Sequence, residues 1–188
     1  MQEGLHMTKT WKLKTPFSER GLEKLNIGDK ILLSGVIFTA RDAAHKLLKK
    51  QIDEGKKTPF NLKGSVIFYA GPTPSKPGNP IGSIGPTTSY RMDSYAPFFY
   101  SLGVKATIGK GSRSKEVVLA QKKYKAVYLA AVGGVAALLA KHVKKAKAIA
   151  YPELGTEAIR KLWVEDFPCI VANDIHGNDI YKKRLKTL

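Results

Sequence analysis

The chain has 188 residues, 43% of them apolar, and a formal net charge of +17. That is the size of one ordinary domain with enough apolar residues to bury a core. No apolar run approaches the roughly 18 residues of a membrane span, and the N-terminal "MQEGLHMTKTW" lacks a signal-peptide core, so a single cytoplasmic domain over residues 1–188 is expected, with 1–9 as a flexible tail.

A lone cysteine, Cys169, excludes an internal disulfide, and by itself it cannot supply the three or four thiolates that usually hold an iron–sulfur cluster. The positive charge could attract nucleic acid, an anionic membrane, an acidic subunit or small anions. The lysines are dispersed over "HKLLKKQIDEGKK", "AQKKYK", "KHVKKAK" and "YKKRLK", three of them in or beside helical patterns, so a solvated helix face accounts for them. Arginines clustered with exposed aromatics, which would favour nucleic acid, are missing.

Residues 11–15 alternate weakly, and "KILLSGVIF" (30–38) reads as a buried strand. "TARDAAHKLLKKQIDEGKK" follows as a helix with Thr39 as its N-cap, which puts Arg41 near a helix start, where anions are favoured. "GSVIFYAG" (64–71) is a second buried strand running into "AGPTPSKPGNPIGSI" (70–84), a loop long enough to suggest a role. Thr87 or Thr88 then caps a short helix through "SYRMDSY", ended or kinked by Pro97.

"VKATIGKGSRS" supplies a short strand and a Gly-Lys-Gly turn, "SKEVVLAQKKY" a helix, "AVYLAAVGG" a third buried strand and "VAALLAKHVKK" an amphipathic helix. "AKAIAY" reads as a fourth strand, "GTEAIRKLWVEDF" as mostly helical, and "PCIVANDIHGNDIY" as a closing hairpin that turns near His176-Gly177. Strands alternating with helices predict an α/β domain, a mixed sheet with flanking helices.

Most familiar chemistries fail on spacing. "GVKATIGKG" has one residue too many for a phosphate loop and Gly111 where a hydroxyl is needed; Gly133 and Gly134 lack a dinucleotide pattern around them. His6, His45, His142 and His176 show no metal-ligand spacing, and no G-x-S-x-G elbow occurs. What remains is a set of cations and hydroxyls in glycine-bounded turns: Arg41, Thr87, Thr88, Arg91 and Lys110. Two arginines and a lysine can hold two carboxylates, and an activated threonine can move a proton on the carbon between them.

Five segments in order, "SGVIFTARDAAHK", "GPTTSYRMDSY", "IGKGSRS", "AAVGGVAALLAK" and "ELGTEAIRKLWVEDFP", resemble the beta subunit of class I fumarate hydratase, the C-terminal part of single-chain class I fumarases, and the L-tartrate dehydratase beta subunit. The resemblance runs over residues 10–181. It implies a swivelling β/β/α domain and a hydro-lyase of the tricarboxylic acid cycle that interconverts fumarate and (S)-malate. It also implies a heteromer whose alpha subunit, and not this chain, carries a [4Fe-4S] cluster. Carried over by position, Arg41, Arg91 and Lys110 match substrate-binding cations, Thr87 matches the threonine proposed as catalytic base, and Thr88 its neighbour in the substrate loop. Pro97, and Tyr90 where relatives often have a small residue, depart from the pattern.

Expected partners are therefore a cluster-bearing alpha subunit and a small dicarboxylate, with no nucleic acid and no membrane. A beta–beta dimer is also expected of a chain whose partner-facing surface is left uncovered. The reading from another class, a basic nucleic-acid-binding module, leaves the glycine-bounded Thr–Arg loop without a purpose; a swivelling domain with no site of its own is the third.

Overall fold

A computed structural model of the chain describes residues 8–131 and 134–185. His6, Gly133 and most of the expected tail lie outside them. Seven strands form one mixed sheet: β1 (Thr10–Lys14), β2 (Lys30–Thr39), β3 (Val66–Phe68), β4 (Ala106–Gly109), β5 (Val127–Ala130), β6 (Val143–Ala150) and β7 (Ile159–Asn173). Helices α1 (Glu19–Leu22), α2 (Asp42–Asp53), α3 (Ala96–Ser101), α4 (Lys115–Tyr124), α5 (Ala136–Lys141) and α6 (Ile180–Leu185) flank it.

β1 to β5 run parallel in spatial order, as expected of strands joined by helical crossovers. β7 runs antiparallel between β5 and β2 and pairs with both, so β2, β3, β4, β5 and β7 close into a ring. β1 continues one edge of β2, and β6 continues one edge of β7.

Alternation along each strand sorts side chains to two cores. Val66, Phe68, Ala106, Ile108, Val127, Leu129, Leu162 and Val171 meet on the inner face. Ile67, Tyr69 and Ile159 point outward against Ala44 and Leu48 of α2, Phe99 and Tyr100 of α3, and Val117 of α4. A sheet buried on both faces explains why β3 to β5 read as continuous apolar runs.

Several expectations are corrected. "AIRKLWVEDF" is strand rather than helix: only Pro152–Glu157 forms a 3-10 segment, and β7 begins at Ile159. Its buried positions alternate as Leu162, Val164, then Phe167, Cys169, Val171, with a one-residue slip at Asp166, whose φ is +47°. Ile159 is buried in the outer core and Leu162 in the inner one, and the slip moves Phe167 by one position, so that Ile159, Leu162, Trp163 and Phe167 fall at spacings that imitate a helical stripe. Pro168, the expected start of the hairpin, lies inside β7 beside that bulge, where a missing N–H is tolerated. The closing turn itself is present, with Gly177 N–H bonded to the Asp174 carbonyl and a bridge between Asn173 and Asp179.

Thr39 does not cap α2. It is the last residue of β2, its hydroxyl donating to the Ala158 carbonyl and accepting from Arg160 N–H. The N-cap position is Arg41. Pro97 starts a helix rather than ending one: the 3-10 segment Ser89–Met92 stops first, and Pro97 falls in the first turn of α3, where its lack of an N–H costs nothing. "KHVKKAK" is largely β6, not helix.

Candidate active site

The parallel strands β2, β3 and β4 end side by side, and their carboxyl edge is where open α/β sheets take ligands. Ala40 N–H bonds to the Phe68 carbonyl (3.1 Å) and Tyr69 N–H to the Ile108 carbonyl (2.8 Å), which keeps the three chain ends level just beyond the sheet. The Gly/Pro loop departs from β3 and returns to this edge: Thr87 N–H bonds to the Tyr69 carbonyl (2.6 Å), Lys110 N–H to the Thr87 carbonyl (3.2 Å), and Ser89 N–H to the Lys110 carbonyl (2.9 Å). Thr88 and Lys110 thus form a parallel bridge, an extra rung that holds both threonines beside the lysine.

That return requires Gly109. A Cβ there would lie 1.9 Å from Ser89 Oγ and 3.1 Å from Tyr69 Cδ2, so the loop backbone can lie on β4 only where no side chain intervenes. Ser89 is buried, and its hydroxyl donates to Tyr128 Oη (2.9 Å), which in turn donates to the Gly111 carbonyl (2.9 Å).

Arg91 lies on the 3-10 segment and grips Asp42, the first residue of α2, with Nε to Oδ1 at 3.0 Å and Nη2 to Oδ2 at 2.6 Å. The pair is well exposed, at 43% and 34%, so it is worth little to stability and serves mainly to aim the guanidinium. The fork leaves Nη1 and one Nη2 hydrogen for a further acceptor. Arg41 stands immediately before Asp42, and the two arginines therefore share one helix start.

Neither Arg41 nor Thr39 gives α2 a side-chain cap; Glu157 does so from the 3-10 segment, its Oε2 accepting from Ala43 N–H at 2.9 Å while Oε1 lies 3.5 Å from Arg41 Nη2. Arg41 Nε is buried with no partner, an unmet donor in a place where such groups are ordinarily satisfied. Gly71 makes room for the guanidinium: a Cβ there would come within 2.9 Å of Arg41 Nη1 and 2.9 Å of the Thr156 carbonyl. His45, one turn into α2, donates from Nδ1 to the Arg41 carbonyl (2.8 Å), and burial pulls its pKa down to about 4, so it is neutral at pH 7.

The structure thus brings all five sequence-predicted residues to one strand edge. Among the described residues Lys110 forms no ion pair, and neither the Thr87 nor the Thr88 hydroxyl has a hydrogen-bond partner. The face is open: the neighbouring cavity of about 460 Å³ is lined by Thr73, Lys147, Thr156 and Arg160 among others, and by none of the five. Sequence reasoning missed Ser89, Asp93 and Arg113, which brace the loop from behind. Asp93 and Arg113 stand inside the quoted segments "TTSYRMDSY" and "IGKGSRS", yet no spacing rule marks them, because their pairing joins residues 20 apart in sequence.

The family model described as fumarase C-terminus matches residues 2–184. The chain is 44% identical over 177 residues to fumarate hydratase 2 of Leishmania major, covering 92% of this chain and 31% of that protein. It is 43% identical over 164 residues to the anaerobic class I fumarate hydratase of Escherichia coli K12, covering 86% and 30%. A chain of Methanocaldococcus jannaschii, provisionally named L(+)-tartrate dehydratase subunit beta, is 42% identical over 172 residues, 88% of each. The chain therefore spans about a third of the length of these fumarate hydratases and most of the subunit-sized relative. On a match that covers nearly every residue, the chain belongs to the fumarase C-terminus family.

Proposed function

We propose that this chain is the beta subunit of an iron–sulfur hydro-lyase that interconverts fumarate and (S)-malate, active only with an alpha subunit. The observation that carries the reading is the convergence of Arg41, Arg91 and Lys110 with two unbonded threonine hydroxyls on one open edge, inside a fold whose relatives include fumarate hydratases. Arg41 and the free edge of Arg91 each take a carboxylate of a four-carbon diacid, and Lys110 adds a third cation. Held at both ends, the substrate presents C3 to Thr87. In dehydration the C3 proton passes to Thr87 Oγ while the Thr87 hydroxyl proton is relayed to the C2 hydroxyl, so that the C2–O bond breaks, one water leaves, and Thr87 ends neutral with no net proton change. Threonine is a weak base in water, so the role depends on the surrounding cations and on exclusion of solvent when a partner closes the open face.

Among the described residues no group of three or more His, Cys, Asp or Glu side chains can hold a metal, and the Cys169 thiol is buried, with its pKa pushed up. These residues do not fit an iron–sulfur cluster, and the proposal places it on the alpha subunit. No helix of the described residues is long and apolar enough to cross a membrane, and a cytoplasmic location is part of the proposal. The charge of +17 suits both an acidic partner and dianionic substrates.

The test is co-expression with the alpha chain and an anaerobic assay of fumarate formation from malate. Arg91→Ala in the assembled enzyme should lower turnover by about two orders of magnitude or more; near-normal turnover would mean that this domain contributes no site of its own. The two-way 88% match to the tartrate dehydratase subunit favours a second reading. Activity on L-tartrate and none on malate would establish it.

A further inference from the structure

Behind the loop that carries Thr87, Thr88 and Arg91 stands one fully buried cation. The Arg113 side chain has 0% exposure, and its contacts with Asp93, Tyr69 and Tyr128 lead to supports of that loop. Nε donates to Asp93 Oδ1 at 2.6 Å, Nη1 to Thr107 Oγ1 at 3.1 Å, and Nη2 to the Tyr69 hydroxyl at 3.4 Å. Its Cζ lies 5.3 Å from the Tyr69 ring centre and 5.0 Å from that of Tyr128.

Tyr69 and Tyr128 are the residues that fix the start of the loop. The Tyr69 carbonyl accepts from Thr87 N–H, and the Tyr128 hydroxyl accepts from Ser89. Asp93 closes the other end: it follows the 3-10 segment, and its second oxygen accepts from Ser114 N–H (2.6 Å) at the N-cap of α4. Arg113 also lies only three residues beyond Lys110, so its fixed position fixes the Gly-Lys-Gly turn. A buried guanidinium is stable only while paired, and this arrangement therefore has one low-energy loop geometry.

We propose that Arg113, paired with Asp93, is a positioning residue for the site: it touches no substrate and sets the placement of the Thr87–Thr88–Lys110 rung relative to Arg41. The proposal rests on the function proposed above only where turnover is the readout. Arg91 keeps its fork on Asp42, and Arg41 keeps its place at the start of α2. Two of the three carboxylate-binding cations therefore keep their places on loss of the Arg113 pair, and the larger damage falls on the proton-transfer step.

The test uses Arg113→Lys, which keeps the charge but loses the planar fork and the stacking, and Asp93→Asn as an independent second variant. Hydrogen exchange on the purified protein should show the amides of Thr87, Ser89 and Lys110 exchanging about tenfold faster, with β2 and β7 unchanged. In the assembled enzyme kcat should fall about 100-fold while KM stays within about threefold. Unchanged loop exchange overturns the proposal, as does faster exchange spread over the whole sheet, which marks a core-packing role. A loss carried by KM overturns it too. If the wild-type assembly turns over no dicarboxylate, the functional reading falls, and the exchange pattern alone decides whether Arg113 positions the loop.

Discussion

Replacing Gly109 by alanine tests whether the loop of the candidate site is held by close backbone contact with β4. The new Cβ would lie 1.9 Å from Ser89 Oγ, 3.2 Å from Ser89 Cβ and 3.1 Å from Tyr69 Cδ2. Neither side can yield cheaply. Gly109 is paired to Ala130 of β5, its carbonyl accepts from Ala131 N–H at 2.9 Å, and Ser89 and Tyr69 are fully buried. Ser89 must either swing its hydroxyl away from Tyr128 or move with the loop by about 1.5 Å to reach ordinary contact. Overpacking of this kind costs about 1–3 kcal/mol, and a buried hydroxyl left unpaired costs a similar amount. Taking about 2 kcal/mol, and about 2–4 °C per kcal/mol for a chain of this size, the melting temperature should drop by about 4–8 °C. Thermal unfolding followed by circular dichroism measures it. Gly21→Ala is the control, because a Cβ there meets only Ser18 Oγ at 3.5 Å within α1, and its melting temperature should hold or rise. If Gly109→Ala melts like the control and the assembled enzyme keeps full turnover, close contact at Gly109 does not place the loop.

Gly71→Ala addresses the first arginine. Its Cβ displaces Arg41 Nη1, and the Thr156 carbonyl opposite prevents the backbone from moving away, so KM for a dicarboxylate should rise about tenfold or more in steady-state assays. Equal KM values would remove Arg41 from the binding site. His45 governs a pH effect. Its folded pKa of about 4 lies below the ordinary 6.5, so the unfolded chain binds the extra proton between these values, and stability is lost as pH falls from about 6.5 to about 4. The loss is at most about 3 kcal/mol, and urea titrations should show that His45→Asn flattens the slope in this window. An unchanged slope would assign the acid sensitivity to other groups.

β2 to β5 were legible because each contains a short apolar run bounded by breakers, whereas the 15-residue β7 was not; the five candidate site residues stood out as hydroxyls and cations gathered in glycine-bounded turns. The helical reading of "AIRKLWVEDF" failed because β7 is buried on both faces, Ile159 outward and Leu162 inward, and the bulge at Asp166 then shifts Phe167 by one residue, so the apolar spacing resembles a period of 3.6. Thr39 was misassigned because a threonine before a helix is a good cap in isolation, whereas here its hydroxyl is engaged by β7 and the cap comes from Glu157, more than 100 residues away in sequence.

By itself the sequence determined which residues are candidates for the chemistry and most of the succession of elements, β7 excepted, since propensity, periodicity and turn residues act over a few positions. Only the tertiary structure decided the rest. Closure of the ring by β7 and the Asp42 fork that aims Arg91 join groups 49 to more than 100 residues apart, and Arg113 meets Asp93, 20 residues away, in low dielectric, where a charge without its partner is not tolerated.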